Sequence, residues 1–178
     1  MEQKKRGIIW LTVTAFVFLG KMYVMRSAAG VVGALSGGQG IIDLTFAITP
    51  ARATEGLGSL TIEAARYYRC VFLPVDMLYA LCYCAFYRCG IGFFLKKAGA
   101  EEKTVKLLSL LPIAGAACDL LENTMIFIIL GGAGKREIPS VPCVLFSAFC
   151  FAKFVFVYSS LAAVIGGALC LIKKRLSL

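Results

Sequence analysis

Cys118-Asp119-Leu120-Leu121-Glu122-Asn123-Thr124 decides how this chain is read. Two carboxylates and a carboxamide stand inside Leu107 to Leu130, a run long and apolar enough to span a bilayer. Such groups are costly in hydrocarbon unless they face a partner, a cavity or a proton. The run therefore predicts a transmembrane helix with a polar site on one face. Asp119, Glu122 and Asn123 stand at i, i+3 and i+4, so a helix puts all three on the same side.

The rest of the chain agrees with a membrane setting. Its 178 residues are 60% hydrophobic and 16% charged, too apolar for a soluble domain whose polar surface must cover its core. Three further apolar runs bring the count to four spans, each needing roughly 20 residues to cross the hydrocarbon. They lie at about 7–25, 69–88 and 141–172, with 107–130 as the third in order. The predicted fold is all-α, a four-helix transmembrane bundle forming a single polytopic domain over 1–178.

The first span follows Lys4-Lys5-Arg6, as a signal peptide would, and Ser27-Ala28-Ala29-Gly30 resembles a cleavage site. Its apolar stretch is longer than the ~7–15 residues of a signal core, so it is read as a retained helix. In the second, Pro74 is expected to kink the helix or release a carbonyl. That helix is expected to overshoot the membrane at both ends, since Thr61 can cap a start and apolar residues continue to Leu95. Gly131-Gly132-Ala133-Gly134 is expected to end the third helix, and Lys173-Lys174-Arg175 the fourth.

Lys and Arg near the span ends set the orientation, with the cytoplasmic flanks carrying the excess. Lys4, Lys5, Arg6, Lys96, Lys97, Lys103, Lys106, Lys173, Lys174 and Arg175 fall on one side. Arg26, Arg52, Arg66, Arg69, Lys135 and Arg136 fall on the other. This predicts a multi-pass cell-membrane protein with both termini cytoplasmic. The net charge of +9 then reflects topology and attraction to anionic membrane lipids; no soluble basic domain exists to bind nucleic acid.

The loop from about 26 to 62 becomes extracytoplasmic in this orientation. Gly30 to Gly40 reads as coil or a fraying helix end, and Ile41 to Phe46 as a short extended segment. Thr49-Pro50-Ala51-Arg52 has a capping residue followed by proline, the start signal of a helix that Gly56 and Gly58 keep short. The loop is expected to be partly ordered, a cap over the mouth of the bundle.

Eight cysteines invite a metal or redox reading, which their spacing does not support. Cys82-x-Cys84 puts two thiols on different sides of a helix, and the chain has no histidine for a mixed zinc site or a histidine base. The cysteines read as small hydrophobes in helix packing, with no metal and no cofactor implied. Cys70 and Cys143 both fall near outer helix ends, which leaves a disulfide between them open if that compartment is oxidising.

The candidate binding residues are Asp76, Tyr79, Tyr83, Asp119, Glu122, Asn123 and Lys153. On the second helix Asp76, Tyr79 and Tyr83 share a face at i, i+3 and i+7; on the fourth, Lys153 shares one with Cys150, Val157 and Ser160. Counted from the outer ends, Asp76, Glu122 and Asn123 fall at similar depths, with Lys153 and Asp119 somewhat deeper. Lys21 either joins them from the first helix or snorkels outward. Three acids against one or two lysines require a retained proton, a cation or water in the gap. A purely structural role is the competing reading, because interhelical hydrogen bonds also fix helix pairing at about 0.6 kcal/mol each.

Ile42-Asp43-Leu44, Thr49-Pro50, Leu57-Gly58, Arg66-Tyr67, Asp76-Met77-Leu78-Tyr79 and Asp119-Leu120-Leu121-Glu122-Asn123 together resemble a group of small, uncharacterised four-helix integral membrane proteins widespread in bacteria. The likeness runs from the outer loop through the third helix to the lysine of the fourth. Two departures stand out: a longer spacing from Arg66-Tyr67 to Asp76, and a proline that precedes this aspartate as Pro74 instead of following it. The resemblance implies the fold and no activity.

Three functions fit these residues. The first is binding or translocation of a small molecule, lipid or ion, with Asp76, Asp119 and Glu122 supplying charge; translocation through so few helices implies a homo-oligomer. The second is an intramembrane enzyme acting on a lipid or isoprenoid, with a carboxyl as acid or base and Lys153 stabilising negative charge. No nucleophile or phosphate-binding motif supports it, and Ser159-Ser160 lacks a histidine partner. The third is a structural or accessory membrane subunit. The first needs nothing that the sequence lacks.

Overall fold

The computed structural model describes residues 2–38, 41–42, 45–46, 48–131 and 140–176, with side chains from residue 7 onward. Expectations for Asp43, Leu44, Gly132 to Gly134, Lys135 and Arg136 lie outside the described residues. The order is α1 (Glu2–Leu35), α2 (Pro50–Gly58), α3 (Ile62–Tyr67), a π-helical turn (Tyr68–Phe72), α4 (Leu73–Ala98), α5 (Glu102–Leu108), α6 (Leu111–Leu130) and α7 (Ser140–Leu176). Among the described residues every regular element is helical.

Four stretches are long and apolar enough to cross a membrane: Gly7–Leu35, Ile62–Ala98, Glu102–Leu130 and Ser140–Leu176. Their outward faces expose large apolar side chains along their length, among them Trp10, Phe16, Leu81, Phe127, Phe151 and Leu169. No soluble monomer leaves so much apolar area in water, so lipid covers it. The chain is a multi-pass integral membrane protein.

α6 packs along α7, and α4 packs against both. α1 lies outermost, held on α4 and on the α3 and π-helical segment. Gly115 brings α6 and α7 close, since a Cβ there would meet Val157 Cγ2 at 3.3 Å and Phe156 Cβ at 3.4 Å. Small residues permit such backbone approach in membrane bundles, and this one lies a single turn from Asp119.

α1 corrects the expected loop boundary. The helix runs to Leu35, ten residues beyond the first predicted span end, and the loop begins at Ser36. Met25, Ala28 and Val32, at i, i+3 and i+7, bury one face in the core, which offsets the roughly 1 kcal/mol that each of Gly30 and Gly33 costs a helix. The stop comes at Gly37 (φ 68°), where the Gly38 N–H bonds the Gly33 carbonyl at 2.9 Å.

Beyond it the loop is tied down at several points. Thr49 caps α2 by accepting from the Arg52 N–H, and Pro50 opens the helix as its sequence predicts. Ala53 and Leu57 are buried in the main core cluster, and α2 lies against α7. Thr61 accepts from the Ala64 N–H and donates to the Leu35 carbonyl at 3.0 Å, joining the two ends of the loop.

The second span starts at the Thr61 cap and continues through the π-helical turn into α4. That turn is the chain's answer to Pro74, which has no N–H to donate: the Leu73 N–H reaches back to the Tyr68 carbonyl, five residues away. The wider turn sits directly above Asp76 and sets the direction in which α4 presents it. The third span is broken into α5 and α6 at Ser109-Leu110, with Pro112 in the first turn of α6. Cys70 and Cys143 are free thiols, one exposed and one buried, so the disulfide left open by the sequence is not formed.

Candidate functional site

Three helices bring seven polar side chains together below the main core cluster, which centres on Phe72, Leu73, Ile126 and Phe146. α6 supplies Asp119, Glu122 and Asn123 from one face; α4 supplies Asp76, Tyr79 and Tyr83; α7 supplies Lys153. Asp76, Asp119, Glu122, Asn123 and Lys153 are all buried, Glu122 and Asn123 completely.

Lys153 is the hub of the charged half. Its Nζ lies 2.5 Å from Glu122 Oε2 and 3.5 Å from Asp119 Oδ1. About 20 Å of helix separates it from Ser140, at 1.5 Å rise per residue, so its ammonium reaches neither end of the bundle. Buried at that depth it is a fixed internal countercharge.

Asn123 organises the other half. Its Nδ2 donates to Asp76 Oδ2 at 2.7 Å and, over a longer 3.5 Å, to Asp119 Oδ1. Two carboxylate neighbours leave the amide one sensible orientation, with nitrogen toward both. Asn123 Oδ1 then has no hydrogen-bond partner among the described residues. Tyr83 closes the network by donating its hydroxyl to Asp119 Oδ2 at 3.0 Å. Asp119 thus touches a lysine, an amide and a phenol from three helices.

A half-open cleft of about 190 Å³ runs into this network. Asp76, Asp119 and Lys153 form its polar wall, while Phe18, Tyr79, Tyr83, Tyr87, Phe154 and Val157 form the rest. The rings touch in sequence: Phe18 stacks on Tyr79 at 5.5 Å, Tyr79 meets Tyr83 edge-on at 5.7 Å, and Tyr83 and Tyr87 are 6.2 Å apart. Glu122 and Asn123 do not line the cleft; they stand behind its wall and hold Lys153, Asp76 and Asp119 in place.

All seven sequence candidates therefore fall within one connected group. Lys21 is not among the cleft residues and makes no ion pair among the described residues. Ser160 bonds the Phe156 carbonyl of its own helix at 2.7 Å, which removes it from the site. Phe18, Tyr87 and Phe154 escape the sequence reading. Tyr87 continues the Tyr79, Tyr83 spacing by one more turn and was legible as such; Phe18 sits on a helix apolar all round, where nothing marks one phenylalanine above another.

A larger groove of about 570 Å³ lies at the other end of the bundle, lined by Gly7, Trp10, Cys89, Gly92, Phe93, Lys96 and Lys97. It contains no buried polar group, and Lys97 stacks over Phe93 at 3.6 Å. Size alone favours that groove, whereas convergent buried charge favours the cleft, and charge is the rarer commodity in a membrane interior.

Tyr83→Phe tests the reading of the network at little steric expense. Losing one hydroxyl donor to a buried carboxylate is expected to cost about 1 to 2 kcal/mol. In a double-mutant cycle with Asp119→Asn, unfolding in mixed micelles should give a coupling energy well above zero; strict additivity would mean the two groups do not interact.

No family model, curated protein or solved structure matches the chain.

Proposed function

We propose that this protein binds, or carries across the membrane, a small molecule, lipid or ion at the cleft beside Asp76, Asp119 and Lys153. The observation that carries the reading is the cleft itself. A polar cluster kept only to pair helices has no need of space, and this one opens on about 190 Å³ bordered by two carboxylates and an ammonium. In this reading Glu122 and Asn123 are positioning residues, and Tyr79 and Tyr83 make the ligand-facing wall. Both termini lie in the cytoplasm, because ten Lys and Arg flank the spans on that side against six on the other. The loop carrying α2 then covers the extracytoplasmic end.

Native mass spectrometry of the purified chain tests this directly. The wild type is expected to retain a non-covalent molecule through detergent exchange. Phe18→Trp, on the outermost helix, narrows the cleft without touching the α6–α7 contact or any charged residue, and should release that molecule while unfolding within about 1 to 3 kcal/mol of the wild type. Equal retention by the variant removes the support for a ligand site and returns the cluster to a structural role, as does a bare wild type that also takes up no added ligand.

A further inference from the structure

We propose that the cleft takes an organic cation, an amine or quaternary ammonium group seated among Phe18, Tyr79, Tyr83 and Tyr87 and countered by Asp76 and Asp119. This rests on the reading of the cleft as a ligand site and names the ligand's chemistry. Two observations on separate residues carry it, the aromatic wall and the charge balance.

The wall is a row of rings in successive contact, from Phe18 through Tyr79 and Tyr83 to Tyr87. Aromatic rings attract a desolvated cation through the ring quadrupole, as in the cages that recognise quaternary ammonium groups; Phe18, stacked on both Tyr79 and Phe86, closes the end of the row and leaves the three tyrosines as its main surface. A neutral apolar ligand has no use for the acids beside them, and an anion is repelled by those acids. The volume fits as well, being somewhat larger than the ~150 Å³ apolar cavity that accommodates benzene.

The charge balance points the same way. Lys153 is the one cation in the wall, and Glu122 behind it approaches its Nζ at 2.5 Å. Asp76 and Asp119 remain. Both accept from the one Asn123 Nδ2, and two carboxyls held that close retain one proton between them. With that proton and Lys153 in place, the three acids still hold one negative charge in excess, the charge of one monovalent cation. Tyr83 and Asn123 donate hydrogen bonds to the aspartates and add no charge.

An ammonium ligand of this kind is either a soluble amine or the headgroup of a lipid, and both present the same chemistry to the cleft. The test uses the full chain in detergent, with choline as the probe and 3,3-dimethyl-1-butanol as its neutral isostere. Thermal unfolding is followed at constant ionic strength with sodium as the balancing ion. Choline is expected to bind at least about tenfold more tightly than the isostere, the size of a desolvated cation–π contact. Asp76→Asn and Tyr79→Leu should each lower choline affinity about tenfold. In parallel, native mass spectrometry from nanodiscs of mixed phosphatidylethanolamine and phosphatidylglycerol separates the sources. Retained ethanolamine lipid that choline displaces supports a lipid headgroup; choline binding with no lipid retained supports a soluble amine.

Equal affinity for the neutral isostere, stabilisation by sodium equal to that by choline, or preferential retention of the glycerol lipid overturns the cation assignment and leaves the ligand site standing. Binding of neither probe together with nothing retained overturns both.

Discussion

Lys153→Met is expected to destabilise the bundle by about 3 to 5 kcal/mol, the cost of breaking a buried ion pair by removing one partner. Methionine keeps the length and flexibility of the side chain and removes only the ammonium. What remains is Glu122, fully buried, and Asp119, 3% exposed, with their shared countercharge gone. Neither has a route to water except through the cleft, which Glu122 does not line. The diagnostic result is the rescue: Lys153→Met with Glu122→Gln should recover more than half of the loss, because the stranded charge has been removed with its partner. Reversible unfolding in mixed micelles measures both variants. A Lys153→Met protein as stable as the wild type, or a double variant weaker than either single one, would show that the pair does not hold the site together.

Asn123→Leu carries the second largest expected effect. Leucine fills nearly the same space, so the loss is chemical: the fully buried Nδ2 donor between Asp76 Oδ2 and Asp119 Oδ1 disappears. Hydrogen bonds to charged groups contribute about 1.5 to 3 kcal/mol, and the expected loss here is about 2 kcal/mol. Adding Asp76→Asn to that background should restore part of it, since one of the two acids then no longer needs the donor. The comparison value is the average interhelical hydrogen bond in a membrane protein, about 0.6 kcal/mol. A loss no larger than that would make Asn123 an ordinary helix-pairing residue and not the organiser of an acid pair.

The two substitutions probe opposite halves of one network. Lys153, in the wall, pairs with Glu122 behind it, whereas Asn123 and Tyr83 donate to two aspartates that face the cleft. A ligand therefore meets charge that is already held in position, in part by Glu122 and Asn123, which it does not touch. Such preorganisation is what a binding site in a low-dielectric interior requires, because nothing there reorients cheaply to meet an incoming charge.

Much of this was legible in the residues alone. Asp119, Glu122 and Asn123 had to share a face once their run was helical, and so did Asp76, Tyr79 and Tyr83, because 3.6 residues per turn leaves no other arrangement. The Thr49-Pro50 and Thr61 helix starts followed from local capping chemistry, which needs no tertiary partner. The end of α1 was misplaced for the opposite reason. Gly30 and Gly33 disfavour a helix locally, and only the docking of Met25, Ala28 and Val32 in the core reverses that preference. The response to Pro74 was open between a kink and a freed carbonyl, and packing of Tyr68 and Phe72, both buried, accompanies the π-helical turn that resolves it.

By itself, then, the sequence determined the class, the four spans and the membership of each polar face. These follow from apolar length and helical period, properties each segment has on its own. Which faces meet was decided by the tertiary structure alone. In a helix that is apolar nearly all round, no hydrophobic stripe sets its rotation against its neighbours, so close contacts such as Gly115 against Val157 and Phe156 do so instead. That choice brought Lys153 onto Glu122, placed Asn123 between two aspartates, and put Phe18 of the outermost helix opposite Tyr79. It also left a cleft beside the acids, a feature that no single helix possesses.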